Sequence, residues 1–232
     1  MIRLLADCGN STVKLALADG LEISAFARLP TKPGAWTAWL DQQTVRPREL
    51  VLLPGAKGWA GAVAEWWGDR PQRTIGYDIH LPAVGQYPGL GLDRIVAGLG
   101  LDAPAVIIDA GTATTLGAWS GTPLQFLGGL IAPGAVVTSQ ALAAAAPALE
   151  SVAPRRGSAL QRTTEGALAV ALGLGYPALI KECAQALAKE SGISRLILTG
   201  GNADHLAHLT AERDELLALR GLARLAHSTA TA

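Results

Sequence analysis

Residues 4–17 read LLADCGNSTVKLAL: an apolar segment, a polar cluster around Asp7, Gly9 and Asn10, and a second apolar segment that resumes past Lys14. In a Rossmann or P-loop nucleotide site, the glycine turn is followed by a helix. No helical pattern follows this turn. The stretch therefore predicts a strand, a tight turn and a returning strand, with polar side chains placed at the turn.

The same pattern occurs a second time, as VIIDAGTATTLG at residues 106–117. Superposing the two copies pairs Asp7 with Asp109 and Gly9 with Gly111. A hairpin signal and another strand follow each copy. Later in each half, a short β-rich run ends in Gly and leads into a helical pattern, ELVLLPG before GWAGAVAEWWGD and RLILTGG before NADHLAHL. We therefore predict two mixed α/β domains, residues 1–104 and 105–232.

The composition limits the class of protein and its partners. The 232 residues are half hydrophobic and contain 19 basic and 19 acidic residues, which argues against a nucleic-acid or anionic-membrane surface. Two cysteines give neither a disulfide framework nor a metal-ligand spacing.

Residues 163–191 predict one long or two abutting helices, with Pro177 as a break or kink. We expect a cytoplasmic protein that binds neither membranes nor nucleic acid.

The paired turns indicate a site for a polyphosphate. Turn amides and Ser or Thr hydroxyls donate to phosphate oxygens, and an aspartate suits such a site when a cation lies between it and the phosphate. The alternative is that Asp7 and Asp109 only stabilise tight turns. Duplicated spacing favours the phosphate site. Two such turns would hold a nucleotide from both sides of a cleft.

Lys14 and the stretch YPGLGLDRIVAGLGL at residues 87–101 add candidates for the chemistry. In a continuous strand the odd offset would direct Lys14 away from Asp7, but the turn resets this parity. Lys14 would then stabilise the charge of a transferring phosphoryl group; the alternative is a solvated strand lysine. Asp93 and Arg94 begin an amphipathic helix, where Asp93 is either a helix cap or a general base beside a basic fork.

Taken in order, the segments DCGNSTVK, GLDR, DAGTATT, GGLIAPG, TTEGA and LTGGNA resemble those of the type III pantothenate kinases. That family has an α/β fold of two ribonuclease-H-like (actin-like ATPase) domains with mixed sheets and the nucleotide in the cleft between them. The resemblance implies ATP-dependent phosphorylation of pantothenate to 4'-phosphopantothenate, the first step of coenzyme A biosynthesis. It also implies a homodimer that uses Mg²⁺ and a monovalent cation, K⁺ or NH₄⁺.

The resemblance assigns residues to roles by position. Asp93 is the proton acceptor. Asp109 holds the monovalent cation, and Asp7 holds Mg²⁺ through water. The ATP-binding residues are Asp7, Cys8, Gly9, Asn10, Ser11, Thr12, Val13, Lys14, Thr112, Gly200 and Gly201. The pantothenate-binding residues are Gly91, Leu92, Asp93, Arg94, Thr164 and Tyr87.

Departures from the family pattern concern the acceptor side. Tyr87 and Pro88 are adjacent, whereas the family usually separates them, so the loop before Gly91 is shorter. Two other functions stay open at this point. One is a kinase or phosphohydrolase of the same superfamily with a different acceptor, because fold does not fix the acceptor. The other is a non-catalytic accessory factor in gene regulation.

Overall fold

The computed structural model describes residues 1–55 and 58–228, which form two compact units. Unit 1 comprises residues 1–102 and the C-terminal segment from Leu216, and unit 2 comprises residues 103–215. Unit 1 contains a five-stranded sheet in the order β3-β2-β1-β4-β5. Its strands are β1 (Ile2–Cys8), β2 (Thr12–Asp19), β3 (Glu22–Pro30), β4 (Glu49–Leu53) and β5 (Gln72–Thr74).

The sheet of unit 1 is mixed, as the sequence predicts. β1, β2 and β3 are consecutive antiparallel strands, whereas β4 and β5 are added in parallel on the other side of β1. Hairpins join the antiparallel strands, and the parallel ones require longer connections. Helices α1 (Pro33–Asp41), α2 (Trp59–Trp67) and α3 (Leu92–Leu99) lie between or after the strands, and α6 (Leu217–Ser228) ends the described chain.

Each face of this sheet is covered by a different helix pair. Leu4, Ala6 and Cys8 of β1 pack in the core that includes Trp36 of α1 and Trp67 of α2. Leu5, on the opposite face, belongs to the core that includes residues of α3 and α6. Because side chains alternate between faces along a strand, Asp7 projects on the same face as Leu5. The polar end of β1 therefore lies on the face of α3 and α6.

Unit 2 repeats the plan of unit 1, with its sheet in the order β10-β9-β6-β7-β8. The strands are β6 (Ala105–Ala110), β7 (Ala113–Ser120), β8 (Gln125–Pro133), β9 (Leu196–Thr199) and β10 (Glu212–Arg213). The helices are α4 (Ala135–Ala145), α5 (Thr164–Ser191) and a 3-10 helix (Ala203–Leu206). Again an antiparallel hairpin series is extended by parallel strands. The duplication predicted from the sequence is confirmed at the level of topology.

The division of the chain differs from the predicted domains at the C-terminus. The first boundary lies after Asp102, and the segment that begins at Leu216 groups with unit 1 instead of continuing the second domain. The reason is the packing of α6: Leu219 and Leu222 belong to the same buried core as Leu5 and Val96 of unit 1. Gly221 makes this packing close, since a Cβ there would collide with the carbonyl of Val96. The predicted range 105–232 also includes residues 229–232, which lie outside the described residues.

Two helices of unit 2 differ from, or refine, the predictions. NADHLAHL forms only the short 3-10 helix, because its bonds run from Ala207 N–H to Asp204 and from Leu209 N–H to Leu206, the tighter spacing. By contrast, residues 164–191 form one continuous helix with Pro177 inside it. By length and composition alone α5 could cross a membrane, but Tyr176 and Ile180 are buried in the core of unit 2. A core helix passes the same test.

Candidate active site

The first turn joins β1 to β2 at Gly9, Asn10 and Ser11. Its polar side chains are partly or fully exposed, whereas those of Cys8 and Val13 are buried in the core. Burial, and secondarily the charge of Asp7, raises the pKa of the Cys8 thiol to about 12. Any contact of Cys8 or Val13 with a ligand is therefore made by the backbone, and this thiol is not a nucleophile at neutral pH.

Asp7 and Lys14 face each other directly across the antiparallel strands β1 and β2. Lys14 Nζ donates to Asp7 Oδ2 at 2.8 Å, and each side chain is 13 % exposed. The prediction that the turn brings Lys14 to the face of Asp7 is confirmed. The pair thus fixes a positively charged ammonium group beside the first turn.

The second turn joins β6 to β7 at Gly111 and Thr112, so it is shorter by one residue. Asp109 consequently lies opposite Thr115, and not opposite Leu116, the residue that sequence superposition would align with Lys14. The second turn thus keeps the aspartate and lacks the lysine. Its Thr112 is exposed and its Thr114 is fully buried. The residue directly opposite Asp109 on the neighbouring strand is therefore a threonine, whereas the residue opposite Asp7 is a lysine.

Gly200, at the end of β9, lies against the second turn. Its φ is +96°, and a Cβ there would lie 2.5 Å from Asp109 Oδ1 and 2.6 Å from the Ala110 backbone. Gly55, after β4, has the same relation to Cys8 in unit 1, where a Cβ would collide with the Cys8 carbonyl. Only glycine allows this approach. Gly200 is therefore placed beside Asp109, whereas the neighbouring Gly201 is exposed.

Asn202 and Tyr176 hold the second turn in place, although neither could be assigned this role from the sequence. The Asn202 backbone N–H donates to Ala110 O at 2.8 Å, and its side-chain amide donates to Gly111 O at 2.9 Å. The Tyr176 hydroxyl lies 2.7 Å from the Thr114 hydroxyl in the core. Burial raises the pKa of Tyr176, and the charge of Asp109 raises it further against the opposing hydrogen bond. Tyr176 thus stays neutral beside Asp109.

The Asp93 candidate lies in unit 1, in the first turn of α3. Its side chain is exposed, and Asp93 Oδ1 accepts from the Arg94 backbone N–H at 2.9 Å. A Cβ at Gly91 would collide with the same carboxylate oxygen, so Gly91 allows the carboxylate to fold back over the helix start. Arg94 Nη1 donates to the Tyr87 hydroxyl at 3.2 Å. The structure thus brings Gly91, Asp93, Arg94 and Tyr87 together despite the short loop.

Thr164 begins α5 and is exposed. The residue before it, Thr163, caps the helix: its Oγ1 accepts from the Gly166 N–H at 3.0 Å. Twelve residues separate Thr164 from Tyr176, so the helix rise places these residues about 18 Å apart. Within unit 2, Thr164 is therefore not brought next to the second turn.

The family model of the type III pantothenate kinases matches residues 3–186, which include both turns, Asp93 and Thr164. The chain belongs to this family. A type III pantothenate kinase from Sphingopyxis alaskensis is 31 % identical over 96 % of this chain and 96 % of its own length. The match thus covers both units and is not confined to one motif.

Two solved structures agree on the fold. A Campylobacter jejuni protein named for the Baf family of transcriptional activators has a TM-score of 0.64 at 22 % identity, and covers 99 % of this chain and 100 % of its own. The activator of 2-hydroxyisocaproyl-CoA dehydratase from Clostridium difficile, with bound ADPNP, has a TM-score of 0.59 at 14 % identity, and covers 100 % and 96 %. At these identities the likeness concerns the fold: two ribonuclease-H-like domains of the actin-like ATPase kind.

The side chains at the two turns can be compared with the Mg²⁺ and the monovalent cation that the sequence resemblance implies. In the described part of the chain, no three His, Cys, Asp or Glu side chains cluster as a metal site. Asp7 Oδ2 is bound by Lys14, which suits Mg²⁺ held through water and not by a set of carboxylates. At the second turn the candidate ligand is a single carboxylate, Asp109, which lies beside Gly200, and one negative charge suits a singly charged ion.

Proposed function

We propose that this chain transfers the γ-phosphoryl group of ATP to the primary hydroxyl of pantothenate, forming ADP and 4'-phosphopantothenate, the first step of coenzyme A biosynthesis. The observation that carries the proposal is the family match over residues 3–186, because it spans every candidate residue from Asp7 to Thr164. The ion pair of Asp7 and Lys14 supports the proposal, because it holds a positive charge beside the turn that is proposed to bind the phosphates.

Asp93 is the general base that accepts the proton of the attacking hydroxyl group. The hydroxyl oxygen of pantothenate forms the new bond to the γ-phosphorus while the bond to the ADP oxygen breaks, and ADP keeps that electron pair. The hydroxyl proton passes to the carboxylate of Asp93. Its exposed position and its hydrogen bond from the Arg94 N–H support this role, since the carboxylate is oriented and reachable.

Arg94 and Tyr87 provide the polar groups for the acceptor. Pantothenate carries a carboxylate as well as hydroxyl groups, and a guanidinium is the side chain that best matches a carboxylate. The contact of Arg94 with the Tyr87 hydroxyl limits the freedom of the guanidinium. Gly91 and Leu92 shape the backbone of the same loop.

The first turn contacts the phosphates. Backbone amides and hydroxyl groups are offered by Gly9, Asn10, Ser11 and Thr12. Lys14 adds a positive charge, and its attraction to the phosphoryl oxygens grows as negative charge develops on them. Thr112, Gly200 and Gly201, which belong to unit 2, are the further ATP-binding residues that the resemblance implies. Asp7 would hold Mg²⁺ through water and Asp109 would hold a K⁺ or NH₄⁺ ion, and both ions would offset the negative charge of the phosphates.

We also propose a cytoplasmic homodimer. Leu127 and Ile131 of β8 are 55 % and 65 % exposed, and β8 is an edge strand of its sheet. Exposed apolar residues on an edge strand favour association with another chain. A second copy would also give a role to Thr164, which lies far along α5 from the second turn: it would contribute to the acceptor site of its partner.

The alternatives are less well supported. Another acceptor would leave the family match without an explanation, because that match covers Asp93 and Arg94 as well as the turns. The likeness to the Campylobacter jejuni protein concerns the fold alone and gives no support to a regulatory role. The Asp7–Lys14 pair at the first turn favours a protein that binds phosphate groups over a purely regulatory one.

The Asp93→Asn variant tests the proposal. Asparagine keeps an oxygen that accepts from the Arg94 N–H but cannot take up a proton, so kcat should fall by about 10² to 10⁴. The KM for ATP should stay within a factor of about three, because the first turn is intact. Steady-state kinetics with pantothenate measure both constants.

Asp69→Asn, an exposed carboxylate of unit 1 outside the candidate site, is the control and should match the wild type. Wild-type kcat in Asp93→Asn would remove Asp93 as the base.

A further inference from the structure

Arg28 of β3 lies directly opposite Lys14 of β2, and Lys14 lies directly opposite Asp7 of β1. Directly opposed residues of antiparallel strands project from the same face. Asp7, Lys14 and Arg28 therefore form one row across three adjacent strands, on the face that α3 and α6 cover. No sequence motif indicates Arg28, because only the strand register brings it to this row.

The charges of this row do not balance. Asp7 is bound to Lys14 through the 2.8 Å ion pair, which leaves the row with the charge of Arg28 in excess. Two cations directly opposite one another on neighbouring strands destabilise a sheet. The arrangement thus costs stability in the free protein, and a bound anion would offset this cost.

The guanidinium of Arg28 also has an unused donor. Its Nη2 atom is buried and finds no hydrogen-bond partner in the part of the chain that the structure describes. A buried donor without an acceptor is expensive, more so when it carries charge. Burial without a partner therefore points to a ligand oxygen that completes the hydrogen bonds of Arg28.

We propose that Arg28 binds the terminal phosphate groups of the nucleotide, together with Lys14 and the first turn. This inference rests on the proposed function, whose site it extends by one residue. Neighbouring strands are about 4.8 Å apart, so Arg28 begins about 10 Å from Asp7, a gap that its side chain and a phosphate can span. The guanidinium fork matches two phosphate oxygens, whereas Lys14 offers a point charge.

Arg28→Met tests the assignment, because methionine keeps much of the length and removes the charge. The Kd of ATP with Mg²⁺, measured by calorimetry, should rise about 10- to 100-fold, the range of a hydrogen bond to a charged group. The Kd of adenosine, which has no phosphate, should not change. Without nucleotide, the Tm should stay the same or rise, since an unsatisfied buried donor is removed.

Arg28→Lys keeps the charge and loses the fork, so its affinity for ATP should be intermediate. Arg48→Met is the matched control: this exposed arginine precedes β4 and its backbone bonds to Ile2, at the opposite end of the strands from the turn. It should match the wild type in every measurement.

Three results would overturn the inference. One is unchanged ATP affinity in Arg28→Met. A second is an equal loss of ATP and adenosine affinity with a lower Tm, which marks a structural arginine. A third is a higher KM for pantothenate alone, which would assign Arg28 to the acceptor carboxylate. If the wild type binds ATP but does not phosphorylate pantothenate, the proposed function fails, and the comparison of ATP with adenosine still tests Arg28.

Discussion

Gly200, which lies against the second turn, tolerates no larger side chain without strain. Its φ of +96° disfavours any side chain, and a Cβ would meet the Asp109 carboxylate and the Ala110 backbone. Since Asp109 is the proposed ligand of the monovalent cation, a displacement here should affect activation by that ion as well as folding.

Gly200→Ala should lower the free energy of unfolding by about 2 to 4 kcal/mol, because strain and collision add. It should also weaken activation by K⁺. Denaturant titration and a K⁺ titration of pantothenate turnover measure the two effects.

Gly175→Ala is the matched control. Gly175 lies inside α5, and a Cβ there would meet no atom within 4 Å other than those of its own helix and chain neighbours. Alanine should stabilise this helix by about 0.5 to 1 kcal/mol. Equal behaviour of the two variants would contradict the described approach of Gly200 to Asp109.

Some of the residues of the candidate site could be predicted from the sequence and others could not, for a physical reason. Asp7, Lys14 and Asp109 could be predicted because a local repeat contains them. Arg28, Asn202 and Tyr176 could not, because their partners are distant in the chain and depend on strand register or helix packing. Cys8 belongs to the same motif as Asp7, yet the alternation of faces along β1 buries its side chain.

At the scale of elements, a network of charges joins three parallel strands of unit 1. Glu49 of β4 accepts from Arg3 of β1 at 2.6 Å and from Arg73 of β5 at 2.7 Å. Burial raises the pKa of Glu49 most strongly, but the hydrogen bonds and charges of Arg73 and Arg3 together outweigh it. The pKa of Glu49 is therefore lowered from 4.5.

A lowered folded-state pKa contributes stability that is present above the unfolded-state value and lost as the pH falls through the folded-state value. Glu49→Gln should therefore destabilise the protein at pH 7, by about 2 to 3 kcal/mol for a pair that retains some solvent contact. The difference from the wild type should shrink below about pH 4.5, where the wild type also loses the charge.

Urea unfolding of both proteins at neutral and acid pH measures this change. Glu65→Gln, at an exposed position of α2, should show no such pH dependence relative to the wild type. A Glu49→Gln deficit that is as large in acid as at neutral pH would contradict the role of the charge.

The strands and most helices could be predicted from periodicity and turn residues, since those signals are local. The segment NADHLAHL shows where this reasoning fails. Its apolar spacing suits an α-helix, but the bonds of Asn202 to Ala110 and Gly111 fix the start of the segment to another strand. Tertiary contacts of this kind leave no periodic signal.

In the molecule as a whole, the C-terminal segment from Leu216 groups with the unit that contains residues 1–102. The predicted boundary near residue 104 lies two residues from the observed one, because the repeat locates it. The return of α6 to unit 1 is not visible in the repeat, because α6 has no counterpart that the sequence comparison pairs with it. Its packing with α3 and with the sheet of unit 1 assigns it.

The proposed homodimer gives a prediction at this scale. Light scattering should give twice the mass of one 23.9 kDa chain, and Ile131→Arg should shift the protein toward the single-chain mass. Apolar residues on an edge strand lose their packing when a charge is introduced. Leu21→Arg, an exposed apolar position in unit 1, is the control. A wild type at the mass of one chain would contradict the dimer.

Phosphorylation of pantothenate can be measured on the purified chain. It is incubated with ATP, Mg²⁺, K⁺ and pantothenate, and ADP and 4'-phosphopantothenate are quantified by mass spectrometry. We expect the two products to form in equal amounts, and both to form about 10² to 10⁴ times more slowly in Asp93→Asn. ADP without phosphopantothenate, or no turnover by a folded protein that binds ATP, would contradict it.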